Sequence, residues 1–455
     1  MEELTKKATL AAIALEQGRK RQSPFTHFLH LPEENRETIP LWENFSFVLA
    51  LFRSRLAENI LEGKELLERL LHFQVPFGSF RYRFPSFIHE YPLAKDSYFT
   101  LKLLPVLLQI FLDFSSLLGE RLKQRLFVAL KRLFLSLEKE SFSFPHSFTA
   151  AAMRYIWQKI AGEEACNLMA DLEAVQNHRG DLNSQEWGQI LLAASFLPEE
   201  KSAPLFREAA ALYHDSLRVF LGPCHHEPQE KFRPQRSFLD LMLGHTSLEE
   251  GSRISLHGAL IKPQAAHASS SGMQTVSSQW GEWNVFRGEG YGFTVLKEKA
   301  ATAPAKNAHI FRLFWQNGQS LVCQDLAHSL ESRVKEDEVE LVFTLPAAYT
   351  EGKEDYEIAF YLDGLGDAAF HVDGKRATTF TLGSSIQIKK GIAITLSFAL
   401  IEGKGRFFGH LLKESRPAQI IKPTKSDFTV YDWKIALRTL GREGSCRILA
   451  KIKIQ

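Results

Sequence analysis

The sequence is poor in cysteine and in net charge. Its 455 residues contain only 4 cysteines, and no two of them form a Cys-x-x-Cys motif. A disulfide scaffold, a ribbon-type zinc site and a dithiol redox site are therefore unsupported. Lysine and arginine together number 55 and aspartate and glutamate 53, which gives a net charge of +2. No overall electric field draws this chain to nucleic acid or to a membrane surface.

Signature motifs of several enzyme classes are also missing. The sequence contains no GxxxxGK[ST] phosphate loop, no GxSxG serine elbow, no HExxH zinc helix and no DxDxDG calcium loop. P-loop NTPases, serine-elbow hydrolases and zincin proteases are therefore unsupported. The glycine-rich stretches 288–292 and 403–409 lie between predicted strands, which favours sheet corners over phosphate loops.

Long uninterrupted hydrophobic runs are absent as well. The most apolar stretch, residues 101–118, contains Lys102, Pro105, Gln109 and Asp113. It is too short and too polar for a bilayer-spanning segment, so we predict a buried helix there. The N-terminal residues include acids and lack an apolar signal core. We expect a cytoplasmic protein without a membrane partner, although a leaderless export route stays open.

What the sequence does contain in its first half is helical periodicity. Residues 41–74 carry apolar side chains three and four positions apart, and Gly63 is expected to divide them into two helices. Ser147 and Ser184 are expected N-caps. Loosely recurring helix pairs, roughly 40–50 residues apart, suit stacked hairpins that curve into a ring. Further helices are predicted at residues 97–118, 120–140, 147–161, 163–176, 184–196 and 204–220.

The second half changes to short, alternating segments rich in β-branched and aromatic residues. The pair Asp373-Gly374 between two apolar runs predicts a hairpin. Ten or more short strands without intervening helices imply an antiparallel sandwich. The strands are predicted at residues 283–287, 291–297, 309–315, 338–343, 357–361, 377–381, 385–388, 392–400, 428–440 and 447–454.

Four segments of the second half resemble sandwich strands of heparinase II/III-like polysaccharide lyases. They are residues 378–388 (TTFTLGSSIQI), 394–398 (ITLSF), 402–410 (EGKGRFFGH) and 431–435 (YDWKI). The resemblance extends to the order of the two halves. It implies an α+β multidomain fold, in which an N-terminal (α/α) incomplete toroid of helical hairpins precedes a C-terminal antiparallel β-sandwich. We place the toroid at residues 1–245, a linker at 246–278 and the sandwich at 279–455.

The resemblance also implies a chemistry. In such lyases a tyrosine or histidine removes the proton beside a uronate carboxylate, and the leaving sugar oxygen is eliminated. Asparagine, histidine, arginine or a metal neutralises the carboxylate while negative charge develops. The expected partner is thus an acidic polysaccharide or oligosaccharide. We predict no cofactor, and the oligomeric state is open.

The richest candidate site is the loop at residues 78–98, between two predicted helices. Arg81 and Arg83 are candidate carboxylate-binding residues, because a guanidinium can hold a carboxylate in a forked geometry. His89 and Tyr91 are candidate proton-transfer residues, and Tyr98 is a candidate substrate contact. The alternative is structural: the aromatic residues anchor the loop to the core while the charged side chains remain solvated.

A second candidate is the pair His146 and Tyr155, with Arg154 beside it. Histidine and tyrosine nine residues apart are typical of the chondroitin AC/hyaluronate type of lyase. The pattern around the pair departs from that type, because no Tyr-Gly follows Tyr155. Helix capping and core packing are the alternative roles for these residues.

Three more positions complete the candidate set. Asn183 could neutralise a carboxylate and Trp187 could stack on a sugar ring; the structural alternative is that Asn183 and Ser184 cap the helix and that the Trp187 indole is half-buried. His257 lies in the predicted linker and could face the cleft. The run at residues 224–227 (CHHE) suggests a metal, but it lacks a second spaced ligand pair, so we predict no metal site.

The function predicted from these observations is a carbohydrate-directed protein, namely a polysaccharide lyase that acts by β-elimination. Two alternatives remain. One is a non-catalytic glycan- or protein-binding protein on the same scaffold. The other is a toroid-type glycoside hydrolase, which would need two carboxylates; the available acids are Glu90, Asp96, Asp171 and Asp181.

Overall fold

The computed structural model divides the chain into two compact units. The first comprises Met1–Gln176, Gln185–Arg207 and Arg236–His267, and the second comprises Asn177–Ser184, Glu208–Gln235 and Ala268–Gln455. The structure describes residues 2–33, 36–76, 81–88, 96–179, 182–222, 238–244, 253–260, 271–278, 281–300, 310–316, 319–323, 329–348, 357–363, 370–413 and 432–455.

Helices dominate the first part of the chain. The first five helices pack on their neighbours in sequence, as hairpins of amphipathic helices do. Short two-stranded hairpins join some of them: β1 (Leu31–Glu33) with β2 (Arg36–Thr38), and β3 (Val75–Pro76) with β4 (Tyr82–Arg83). The helices are α1 (Glu2–Arg21), α2 (Leu41–Arg53), α3 (Ala57–Leu71), α4 (Ser97–Leu137), α5 (His146–Ala161), α6 (Met169–His178), α7 (Ser184–Ala194), α8 (Glu199–Ala211), α9 (Phe238–Met242) and a 3₁₀ helix, Arg253–Ala259.

Helix α4 is a hairpin of two helices rather than one rod. Gly119 interrupts it with φ 71° and ψ 155°. The rings of Phe111 and Phe127, each eight residues from Gly119, lie 5.9 Å apart, so the second half runs back along the first. The predicted break between residues 118 and 120 is confirmed. Because the helix reverses there, the last residues of α4 lie near its first residues.

Gly63, in contrast, does not break a helix. The break in residues 41–74 falls between α2 and α3, and Gly63 lies inside α3. A Cβ atom at Gly63 would lie 2.7 Å from Cε1 of Phe52, a fully buried ring on α2. Gly63 therefore permits the close packing of the two helices. The predicted break at this residue was wrong because a glycine at a crowded helix contact has the same sequence signature as a helix end.

The second unit contains a sheet in which the pairings between described strands are all antiparallel. Its described strands follow the order β15-β17-β18-β19-β14-β11-β10-β9-β8-β7, with β13 joining β19 to β12 and β16 attached to β18. The strands are β7 (Gly272–Ser278), β8 (Gly281–Arg287), β9 (Tyr291–Lys299), β10 (Phe311–Trp315), β11 (Gln319–Cys323), β12 (Ser329–Val334), β13 (Glu338–Leu345), β14 (Glu357–Asp363), β15 (Phe370–Val372), β16 (Thr379–Phe380), β17 (Ser385–Lys390), β18 (Ile392–Lys413) and β19 (Trp433–Ile454).

The sheet branches along its two longest strands, β18 and β19, each of 22 residues. Residues 433–438 of β19 pair with β14, whereas residues 446–453 pair with β13. Register shifts between β18 and β19 fall at residues 439–448 of β19, around the junction of these two parts, where bulges let long strands bend. Both branches bury alternate side chains in one hydrophobic core. The predicted fold class, helical hairpins followed by antiparallel β structure, is thereby confirmed.

The structure differs from the prediction at residues 204–220. Helix α8 begins at Glu199 and ends at Ala211, and a hairpin of β5 (Tyr213–His214) and β6 (Val219–Phe220) follows. The apolar residues of this segment recur at helical spacing by coincidence. Their strand pairing depends on contacts with distant residues of the second unit, which local periodicity does not record.

One described helix, Tyr98–Leu137, is long and apolar enough to cross a membrane. Most of its apolar stretch is buried inside the protein, and Gly119 reverses it midway. These are the properties of a core helix pair.

The role of Gly63 predicts the effect of a single methyl group. Gly63→Ala should lower the free energy of unfolding by about 1–3 kcal/mol, because the Phe52 ring, packed on Phe114 at 5.5 Å, has no room to move. Urea unfolding measures this, with Leu61→Ala as an exposed control in the same helix, expected within about 0.5 kcal/mol of the unchanged chain. A stabilised Gly63→Ala variant would contradict the packing role.

Candidate functional site

Three aromatic rings meet where the two ends of α4 come together. Tyr98 lies in the first turn of α4, and His146 is the first residue of α5. Their ring centroids are 4.5 Å apart in an edge-to-face arrangement, and the Phe142 ring lies 5.9 Å from that of Tyr98. The Tyr98 side chain is 50% exposed. We call Tyr98, Phe142 and His146 the aromatic cluster.

Local sequence explains how both helices begin at the cluster. The Asp96 carboxylate accepts a hydrogen bond from the Phe99 amide at 3.0 Å and so caps α4. At α5, the Ser147 amide donates to the Ser143 carbonyl at 3.1 Å, and Pro145 occupies the N-cap position, two residues ahead of the expected cap at Ser147. His146 thus becomes the first helical residue and lies against Tyr98.

Partial burial controls the charge of His146. Desolvation is the cause that lowers the pKa of its imidazole from the usual value. The ring is therefore neutral at pH 7, with one nitrogen lone pair available to accept a proton. A neutral imidazole beside an exposed phenol ring can act as a general base.

The arginines of the predicted loop are held at the same end of α4. The Ser136 hydroxyl accepts from the Tyr82 amide at 2.7 Å and lies 3.0 Å from the Tyr82 carbonyl, so the last turn of α4 fixes β4 in place. The Arg132 guanidinium covers the Tyr82 ring at 4.4 Å. Arg83 is buried and Arg81 is half-buried. Arg81 is thus the more accessible cation of the two.

Arg154 fastens α5 to α4. Its Nη2 atom donates to the Leu137 carbonyl, at the end of α4, at 3.0 Å. Arg154 also lies close enough to Asp171 to lower the pKa of that carboxyl, although burial is the larger effect and raises it overall. The guanidinium therefore contributes to packing and to the local charge balance.

Tyr155 does not lie beside His146. Nine residues of α-helix turn through about 900°, which places the two side chains on opposite sides of α5 and about 13.5 Å apart along its axis. Tyr155 is buried, and the Lys159 ammonium lies 4.8 Å from its ring centroid. The tyrosine that the structure brings to His146 is Tyr98.

The remaining candidates occupy other surroundings. Trp187 is fully buried in α7, so its ring has no face open to a sugar, and Asn183 is buried just before that helix. His257 packs against Trp42 in a tilted arrangement, with ring centroids 4.3 Å apart. His89 and Tyr91 lie outside the described residues.

Sequence reasoning missed the contribution of Phe142 and the pairing of Tyr98 with His146. A signal for both was present in the spacing, because Tyr98 lies 21 residues before Gly119 and residue 140 lies 21 residues after it. A helical reversal at Gly119 brings these two positions together. Within the described part of the chain, no group of three or more metal-binding side chains occurs; residues 224–227 lie outside it.

Comparisons with known proteins give similarity of fold alone. No protein-family model matches the chain, and no curated protein matches it either. Among solved structures, heparan sulfate lyase of Pedobacter heparinus shares 8% identity and a TM-score of 0.45, over 91% of this chain and 76% of that one. A heparinase III gene product shares 11% identity and a TM-score of 0.46, over 99% and 84%. At this level of similarity no residue role can be transferred.

The aromatic cluster predicts the titration of His146. In NMR spectra of the chain with ¹³C-labelled histidine, assigned by loss of the signal in His146→Gln, His146 should show a pKa below the usual value. Tyr98→Ala uncovers the imidazole and should raise that pKa, whereas Tyr98→Phe keeps the ring and should leave it lowered. An ordinary pKa for His146 in the unchanged chain would contradict the burial described here.

Proposed function

We propose that this chain is a carbohydrate-directed protein that cleaves acidic, uronate-containing glycans by β-elimination. The observation that carries the proposal is the contact between Tyr98 and a neutral His146, at the end of α4 to which the arginine-bearing hairpin is fixed. It combines a base, an aromatic surface and a hairpin with two arginines that is attached to the same helix end. The cytoplasmic location expected from the sequence remains a prediction.

Each component has a role in the elimination. The His146 lone pair takes the proton from the carbon beside the uronate carboxylate. The electrons of that C–H bond form the new carbon–carbon double bond, and the bond to the leaving glycosidic oxygen breaks. The Tyr98 hydroxyl supplies the proton that the leaving oxygen needs, directly or through water. His146 gains one proton and Tyr98 loses one, so proton exchange with solvent returns both side chains to their starting states.

The acidity of the carbon-bound proton depends on the carboxylate. Positive charge beside the carboxylate stabilises the enolate-like transition state. Arg81 is half-buried next to Tyr82, which Ser136 holds at the end of α4. We assign carboxylate binding to Arg81 and assign to buried Arg83 the support of this hairpin.

A second candidate function, glycan binding without turnover, is favoured by a specific observation. The tyrosine expected as the partner of His146, Tyr155, is buried on the opposite side of α5. If Tyr98 does not take over the proton transfer expected of Tyr155, the arginine and the aromatic cluster would bind an acidic sugar and leave it intact.

The decisive assay follows ultraviolet absorbance of unsaturated uronate over a panel of heparan sulfate, chondroitin, hyaluronan, alginate and polygalacturonate. We expect at least one substrate, and a fall in kcat of about 10²–10⁴-fold for His146→Ala. His27→Asn, an exposed histidine whose left-handed φ of 59° suits asparagine, should retain activity. Tyr98→Phe should lower kcat. Arg81→Ala should lower kcat and raise KM, because Arg81 is assigned to the carboxylate both in the bound substrate and in the transition state.

The outcomes separate the alternatives. An unchanged rate in His146→Ala would refute the assigned base. A flat trace with measurable glycan binding, lost in Arg81→Ala and Tyr98→Ala, would establish the binding function instead. Reducing ends released without an unsaturated product would indicate hydrolysis. The absence of both turnover and binding across the whole panel would refute the carbohydrate proposal.

A further inference from the structure

The hairpin β5–β6, together with the residues on either side of it, is docked on strands β8–β10 within the second unit. We call residues 210–222 the docked segment. Side chains of the strands donate to its backbone carbonyls. Arg287 Nη1 donates to the carbonyls of Ala210, at 2.9 Å, and Tyr213, at 2.7 Å. The Arg312 guanidinium donates to the Gly222 carbonyl at 3.2 Å.

One docking contact depends on a titratable group, His214. Its side chain is almost completely buried, with 4% exposure. The Nε2 atom lies 3.0 Å from the Gly288 carbonyl and 3.1 Å from the Tyr291 carbonyl, at the turn between β8 and β9. Both partners are acceptors, so Nε2 must carry the hydrogen.

The other ring nitrogen of His214 has the opposite requirement. Nδ1 lies 3.4 Å from the Leu217 amide, which can only donate, and 3.3 Å from the Ser216 hydroxyl. Nδ1 therefore accepts and carries no hydrogen. The neighbours on both sides of the ring specify one neutral tautomer, and the imidazolium ion does not fit this arrangement.

The charged groups that face His214 shift its pKa in opposite directions. Arg287, on β8, disfavours a second proton, and Asp215, the next residue in the hairpin, favours one. The Tyr291 hydroxyl donates to the Glu336 carbonyl, and Glu289, the acid of the contacted turn, is exposed. Burial is the largest effect, and the pKa of His214 lies below its usual value.

The fit of the docked segment is close as well as polar. A Cβ atom at Gly292 would lie 2.7 Å from Cδ1 of Leu221 and 3.0 Å from Cδ2 of His214. His214 therefore cannot rotate to place a new hydrogen elsewhere while the segment stays docked. A proton on Nδ1 would point at the Leu217 amide.

We propose that the docked segment is a pH-dependent latch, which stays on the β8–β9 turn while His214 is neutral and releases when His214 is protonated. A histidine whose pKa is lowered in the docked state binds protons better when released. Docking is therefore strongest when the pH is above the usual histidine pKa, which applies to the released segment. It weakens as the pH falls from that value towards the lower pKa of docked His214, and it weakens no further once the pH is below that lower pKa.

Hydrogen–deuterium exchange of the whole chain between pH 8 and pH 5 tests the latch. Exchange rates are divided by the intrinsic rate at each pH, and peptides from β13 serve as the internal reference. We expect protection of residues 212–222 to fall by up to about tenfold per pH unit below the usual histidine pKa, while β13 keeps its protection. If the docked segment keeps the same protection from pH 8 to pH 5, as β13 does, the proposal is overturned.

Matched variants isolate the histidine. His214→Gln retains one donor and one acceptor without titrating, so it should abolish the pH dependence. His410→Gln, which removes another histidine of the same unit whose pKa burial lowers, should retain it. If His214→Gln fails to fold, NMR titration of the unchanged chain decides, because a usual pKa for His214 would refute the latch.

Discussion

The reversal of α4 at Gly119 is the constraint on which the candidate site depends. A straight helix would separate Tyr98 from Leu137 by about 58 Å. Gly119 adopts φ 71° and ψ 155°, a backbone region that is open to glycine and costs other residues about 1–3 kcal/mol. A Cβ atom there would meet no other atom within 4 Å, so the requirement for glycine is conformational rather than steric. One residue thereby brings Tyr98 to the start of α5.

The chemistry of the site follows from that reversal. The Tyr98 ring and the helix ends take water away from His146, and a desolvated imidazole stays neutral. The same end of α4 carries Ser136, whose hydroxyl holds Tyr82 and with it the neighbouring arginine. A base and a cation are thus positioned by contacts with one helix pair.

Much of this arrangement could be predicted from sequence, and the failures have physical causes. Alternation and helical spacing are local properties, and they predicted both halves of the fold and the break at Gly119. Gly63 was misjudged because a glycine needed for helix contact resembles one that ends a helix. The pairing of His146 with Tyr155 ignored helix geometry, since nine residues place side chains on opposite sides. The docking of residues 210–222 rests on Arg287 and other distant partners, which no local pattern records.

A crystal structure of the chain with a uronate-containing oligosaccharide tests the central claim most directly. The account predicts a sugar ring against Tyr98, its carboxylate on Arg81, and the His146 imidazole facing the hydrogen beside that carboxylate. An oligosaccharide bound elsewhere, with no contact to Tyr98 or His146, would contradict it.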